Sequence, residues 1–307
     1  MTDSLKQSPN TFSQGVFFGV SAYTLWGLLP LYWQWLDGVA ALEILVHRGL
    51  WSLLICIGFL AITRKLGLFF SLLRNRRTFM VLAFASFLLT INWAVYIWSV
   101  TVDRVVESAL GYYITPLMSV TFGVLILKER IRPAQKVAVS LAGIGVLVLT
   151  IGYGALPWIA IALAVSWGGY SLIKKQLKLG ALESLSIETL VALIPSSIYI
   201  AYLHEQGASA FGGSLSTSLL LIGGGFATVI PLLFFNGATN RLPLVTVGLL
   251  QYLTPTIMFF IGVGVNHEDM KPIKWVGFIL IWIALFIFGR DLVRSSRSLD
   301  DRIDEAR

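Results

Sequence analysis

Apolar residues fall into ten runs along the chain, at 15–36, 42–63, 78–100, 106–127, 133–151, 155–173, 184–203, 217–239, 243–265 and 273–290. Each is close to the ~20 residues that an α-helix needs to cross the hydrocarbon core. Barrel strands would be about half as long and would alternate between apolar and polar positions. The pattern predicts an all-α membrane protein with ten transmembrane helices. The segments between the runs are short, the longest being 64–77 and 204–216, so no soluble domain is inserted.

The runs also repeat. Residues 110–149 align without a gap on 249–288, with eleven identities in forty positions. Among them are Tyr113/Tyr252, Thr115/Thr254, Pro116/Pro255, Glu129/Glu268 and Pro133/Pro272. Fainter echoes pair Trp26-Gly27 with Trp167-Gly168, and Ala41-Leu42-Glu43 with Ala181-Leu182-Glu183. The expected organisation is a cytoplasmic N-terminus (1–14), a five-helix repeat (15–151), a second repeat (152–290) and a polar cytoplasmic tail (291–307), extended or weakly helical. Five spans is an odd number, so the second copy must insert upside down, as in many secondary transporters.

Composition agrees with this class: 56% of the 307 residues are hydrophobic and 13% charged, too apolar for a soluble domain. Placing both termini in the cytoplasm puts eighteen of the 23 Lys and Arg residues on inner segments. Only Arg104, Lys271 and Lys274 then lie outside, which is the positive-inside distribution. The net charge of +7 therefore reflects topology and implies no nucleic-acid partner. The first run lacks a small-residue cleavage signal and reads as a retained helix. Cys56 is the sole cysteine, which excludes an intrachain disulfide.

Motifs for membrane enzymology are absent. There is no H-E-x-x-H helix, no phosphate-cradling G-x-x-x-x-G-K-[ST] loop and no Cys/His ligand cluster, so neither cofactor nor metal is expected. The spans instead carry polar and aromatic stripes at helical spacing. Span 1 has Tyr23, Trp26 and Trp33, span 3 has Asn92, Tyr96 and Ser99, and span 4 has Ser108, Tyr112, Thr115 and Ser119. Span 6 has Trp167, Tyr170 and Ser171, span 8 has Asn236, Thr239 and Asn240, and span 9 has Gln251 and Thr254. Polar groups in lipid turn toward other helices or water. Such stripes either pack helices together or line a cavity, and six of them with Asn, Gln, Trp and Tyr favour the cavity. From them the expected substrate-binding set is Tyr23, Trp26, Asn92, Tyr96, Tyr112, Thr115, Trp167, Tyr170, Asn236, Gln251 and Thr254.

Pro116 and Pro255 sit mid-span, where a missing N–H frees the carbonyls of Tyr112 and Gln251 as substrate acceptors or flexing points. Among ionisable span residues, Arg48 is expected to pair with Glu107 near the outer face. Glu188 has Lys174, Lys175 or Arg241 available near the inner face. The two sites read either as alternating gates or as static ion pairs. His47 titrates near neutral pH and is one carrier for a coupling proton; Glu107 is the other. Glu129 and Glu268 read as turn-and-cap features.

The runs Glu43-Ile44-Leu45-x-His47-Arg48-x-x-Trp51-Ser52, Asn92-Trp93 to Ile97-Trp98, Glu107-Ser108-x-Leu110-Gly111-Tyr112, Ile187-Glu188-Thr189-Leu190 and Gln251-Tyr252-x-x-Pro255-Thr256 resemble the bacterial RarD permeases. These belong to the EamA branch of the drug/metabolite transporter superfamily. The resemblance spans about 15–291. It implies ten helices in two inverted five-helix repeats, a bacterial inner-membrane location, and a cavity lined by helices 1, 3, 4, 6, 8 and 9. Thr115 departs from the family pattern, which usually has Asn there. The resulting expectation is a secondary active transporter in the lipid bilayer. It would export small metabolites or drugs by alternating access, with protons as the candidate coupling ion. The cavity is expected to be aromatic and polar with little uncompensated charge, suiting amphipathic cargo better than sugar phosphates. A channel-like facilitator and a non-transporting scaffold are the alternatives; an enzyme is not expected.

Overall fold

The structure, a computed structural model, describes residues 9–101, 105–153, 158–264 and 272–304. Among them the chain is helical throughout, with one isolated β-bridge between Phe211 and Ser214 and no strand. In chain order the helices are α1 (Pro9–Gln34), α2 (Ala41–Ile62), α3 (Leu66–Arg74), α4 (Arg76–Thr101), α5 (Val105–Leu125) and α6 (Pro133–Tyr153). They continue as α7 (Trp158–Leu177), α8 (Ala181–Glu205), α9 (Leu215–Arg241), α10 (Leu244–Leu250), α11 (Leu253–Gly264) and α12 (Pro272–Asp304).

Among the described residues, eight segments are long and apolar enough to cross a bilayer: α1, α2, α4, α6, α8, α9, the joint α10–α11 stretch and α12. Helices α5 and α7 coincide with the other two expected spans but fall short by this measure. In α5 the described side chains form an apolar stretch over Leu110–Leu125, and α7 carries Lys174 and Lys175 in its last turn. Three boundaries differ from expectation. The 64–77 loop contains α3, whose Phe69 is buried against Leu60 and Leu82. The expected span at 243–265 is two helices joined through Gln251 and Tyr252. Finally, α12 continues into the tail as far as Asp304, where an extended or weakly helical end was expected.

Pairwise packing sets the frame. Helix α1 lies on α9 and α11, α4 on α7 and α8, α2 on α8 and α9, α5 on α7 and α10, and α6 on α12. With no apolar driving force between helices in lipid, close approach depends on small residues. At the α6–α12 crossing, a Cβ added to Gly145 would stand 3.0 Å from the Gly277 carbonyl oxygen. Large apolar side chains such as Ile62, Leu147, Ile151 and Ile194 point away from the bundle, as lipid-facing positions should. Helix ends are capped by local chemistry: the Ser214 hydroxyl accepts from the Thr217 amide at 3.0 Å at the start of α9. Glu129 accepts from the amides of Leu244 (2.7 Å) and Val245 (2.9 Å) at the start of α10.

Candidate functional site

A cavity of about 630 Å³ lies between α1, α2, α4, α5, α7, α9 and the α10–α11 junction. Its volume is in the range that holds a drug-sized molecule. On α1 the lining residues run from Tyr23 to Gln34, about 16 Å of helix axis at ~1.5 Å per residue. Exposed Gln34 and Asp37 stand at the mouth. At the far end the rings of Tyr23, Trp26, Trp167, Tyr170 and Phe235 close into one cluster. Trp26 meets Trp167 edge-on at 5.2 Å, and Tyr170 stacks on Phe235 at 6.0 Å. Rings in these offset and edge-on arrangements each add roughly 0.5–1.5 kcal/mol beyond burial.

Most polar side chains in the wall are already engaged. The Thr115 hydroxyl donates to the Gly111 carbonyl at 2.6 Å and that of Thr254 to the Tyr23 carbonyl at 2.9 Å. Asn92 donates through Nδ2 to the Leu163 carbonyl (2.9 Å) and Ser166 Oγ (3.0 Å), tying α4 to α7. Gln251 Oε1 accepts from Ser119 Oγ at 3.4 Å. By contrast, Tyr23 Oη and Trp167 Nε1 make no hydrogen bond among the described residues, although both side chains line the cavity.

Arg48 is the exception in charge. Its Nε donates to Thr228 Oγ1 at 2.9 Å. The guanidinium sits 4.9 Å from the Trp33 ring centroid and 5.0 Å from that of Trp93. Arg48 lies seven residues past Ala41, the first of α2, which is about 10 Å along the helix. Glu188 lies equally far past Ala181 in α8, and its surroundings are the reverse. It is buried, and its carboxylate accepts from Lys174 Nζ at 2.7 Å and Tyr170 Oη at 2.9 Å. Lys174 also donates to Ser184 Oγ at 2.6 Å, and Asn236 Nδ2 reaches the same oxygen at 3.3 Å.

Nine of the eleven side chains expected to bind substrate line the cavity: Tyr23, Trp26, Asn92, Tyr96, Tyr112, Thr115, Trp167, Gln251 and Thr254. Tyr170 and Asn236 do not. The Tyr170 hydroxyl and the Asn236 amide belong to the Lys174–Glu188 network at the closed end of the cavity, while the Tyr170 ring is part of the floor. The side chain of Glu107 lies outside the described residues, so its pairing with Arg48 does too; among those described, Arg48 meets no carboxylate. Among the described residues, Arg48 is thus a charge in the cavity wall without an acidic partner. Of the cations offered to Glu188, Lys174 is the one in contact, while Lys175 Nζ donates to the Leu242 carbonyl and Arg241 Nη1 to that of Gly237 at 3.0 Å.

His47 stands away from the cavity. It stacks on Phe211 at 4.9 Å, with Nε2 3.9 Å from Glu43 Oε1, in a separate pocket of about 430 Å³ beside His204 and Ser209. The Gln251 carbonyl, expected to be freed by Pro255, accepts from the Thr254 amide at 3.2 Å instead. The turn there tightens to i→i+3 bonding, which occupies one of the two lone pairs of that carbonyl. Pro116, its equivalent, stays within the continuous helix α5. Trp93, Thr228, Pro30 and Met258 line the cavity unanticipated. The spacing of Thr228, Leu232 and Asn236 (i, i+4, i+8) was the available signal for α9.

The EamA-like transporter family matches residues 13–151 and again 156–290. Protein RarD of Streptomyces exfoliatus is 46% identical, over 98% of this chain and 96% of that one. The uncharacterized transporter YojE of Bacillus subtilis (strain 168) is 40% identical, over 93% and 96%. A solved structure superimposes with a TM-score of 0.71 at 18% identity, covering 92% of this chain and 98% of that one, which shows a shared fold. The all-helical multi-pass architecture and these matches agree: the chain is a membrane transporter and belongs to the EamA-like transporter family.

Proposed function

We propose that the protein is a secondary active transporter that exports small metabolites or drugs by alternating access. The observation that carries this reading is the roughly 630 Å³ cavity, which reaches the mouth at Gln34 and Asp37 and ends at a closed aromatic floor over a buried ion pair. A pathway open at one end and sealed at the other suits alternating access better than a continuous channel. Ten helices in two inverted repeats are part of the proposal, with the second repeat beginning near residue 152. The double family match supports it, and so does the packing. The pairing of α1 with α9 has its counterpart in α7 with α4, α2 with α9 in α8 with α4, and α5 with α7 in α11 with α1. The loop clamps exchange in the same way. Glu43 in the first half accepts from Ser209 Oγ (2.9 Å) and the Ala210 amide (2.8 Å) in the second, while Glu183 in the second half lies 3.4 Å from Lys65 in the first.

The charge bias supports cytoplasmic termini in a bacterial inner membrane, which makes the described conformation outward-facing. Arg48 and Lys174–Glu188 then stand at the outer and inner approaches, where gates belong. The test is counterflow in proteoliposomes after a thermal-shift screen has supplied a ligand. A carrier gives saturable exchange that Tyr112→Ala and Gln251→Ala weaken. Linear flux without counterflow marks a channel, and indifference to both substitutions marks a scaffold.

A further inference from the structure

The charge in the cavity wall narrows the cargo. A guanidinium has five N–H donors and cannot be deprotonated in practice. In Arg48 only Nε is used, on Thr228. The four donors on Nη1 and Nη2 have no hydrogen-bond partner and no carboxylate within ion-pair distance among the described residues. Asp37, the other charged lining residue, is exposed at the mouth, beyond ion-pair distance, and its Oδ1 accepts from the Gly38 amide at 3.0 Å. A cation in a membrane-spanning helix is costly and calls for compensation. Trp33 and Trp93, 4.9 and 5.0 Å away, hold the guanidinium plane by cation–π contact without neutralising it. The phenols of Tyr96 and Tyr112, their ring centroids 5.9 Å apart, line the same wall.

We infer that Arg48 is the receptor for an anionic group on the cargo, and that the transported class is the small organic monocarboxylate with an apolar or aromatic body. This rests on the reading of the same cavity as the substrate site. A planar carboxylate matches the fork of an arginine bidentately. A single cation without an acidic partner among the described residues suits one negative charge, whereas a phosphate or dicarboxylate would call for a second. The body then lies along the wall toward Trp26 and Trp167, whose faces are apolar and whose indole Nε1 on Trp167 is unpaired.

The experiment uses the full-length protein in phosphatidylcholine nanodiscs, titrated calorimetrically with aryl and alkyl monocarboxylates. Each acid is paired with its amide and its amine, for example 3-phenylpropionate, 3-phenylpropionamide and 3-phenylpropylamine. Acids are expected to bind at least tenfold more tightly than the matched amides, with the amines weakest. Arg48→Gln erases the acid preference, bringing the affinities for acid and matched amide within about twofold of each other, and Arg48→Lys retains part of it. The wild-type series stands even if a variant misfolds. Equal affinity for acid and amide, no binding by any acid, or an acid preference that survives in Arg48→Gln overturns the assignment. If amides or amines bind and Trp167→Ala weakens them, the cavity reading stands and only the anion receptor falls. If ligands bind and Trp167→Ala leaves them unchanged, the cavity reading falls as well.

Discussion

Removing one partner of the Lys174–Glu188 pair is expected to cost far more than removing both. The two groups are 3% and 1% exposed and 2.7 Å apart. At an effective dielectric of ~20 their attraction is roughly 6 kcal/mol, which largely offsets a desolvation penalty of several kcal/mol per ion. The intact pair is therefore close to neutral, but an orphaned charge is not. In Lys174→Met the Glu188 carboxylate keeps only the Tyr170 hydroxyl at 2.9 Å; in Glu188→Met the ammonium keeps only Ser184 Oγ at 2.6 Å. Each single substitution should lower unfolding free energy by about 3–5 kcal/mol. The double substitution should cost no more than the worse single, giving a coupling energy of at least ~3 kcal/mol. Equilibrium unfolding in mixed micelles, followed by tryptophan fluorescence, measures all four corners of the cycle. Single effects below ~1 kcal/mol, or a double equal to their sum, would refute the account of a buried, mutually dependent pair.

Three further outcomes are expected. Gly145→Ala, whose Cβ would stand 3.0 Å from the Gly277 carbonyl oxygen, should destabilise by ~1–3 kcal/mol, whereas Gly143→Ala, with nothing within 4 Å, should be neutral or stabilise by up to ~1 kcal/mol; thermal unfolding of the two variants side by side decides. Glu129→Ala strips both acceptors from the Leu244 and Val245 amides and should cost ~1–3 kcal/mol, with Glu129→Gln recovering part of it in the same assay. Cys56, buried and the only thiol in the chain, should resist maleimide labelling in the folded protein and react fully in denaturant; rapid labelling under native conditions would contradict its burial.

The apolar runs located the membrane helices closely because hydrocarbon allows little besides helix. They could not reveal the α10–α11 break, since Gln251-Tyr252-x-x-Pro255 reads equally well as a kink in one helix. Nor did they reveal α3, where a short apolar stretch between charges looks like a loop. For the cavity, helical periodicity gives the direction of a side chain but not its depth. Tyr170 points inward like Trp167 yet lies one turn further along α7, where its ring joins the floor and its hydroxyl turns to Glu188, and Asn236 is likewise drawn to Ser184. Trp93 lies off the Asn92 stripe, but an indole is wide enough to reach the cavity from a neighbouring position. The environment of Arg48 was beyond the sequence altogether: it depends on Thr228, Trp33 and Trp93 arriving from three other helices.

An arginine on the path with no acidic partner among the described residues also bears on energetics. If the cargo carries one negative charge, a bacterial cell that is negative inside already pushes it outward. A potential of ~100 mV is worth about 2.3 kcal/mol per elementary charge, enough to hold roughly a fiftyfold outward gradient at equilibrium. Export of such a cargo requires no proton to be carried in exchange. That fits the described cavity wall, which holds Arg48 as its fixed positive charge while His47 lies in a separate pocket.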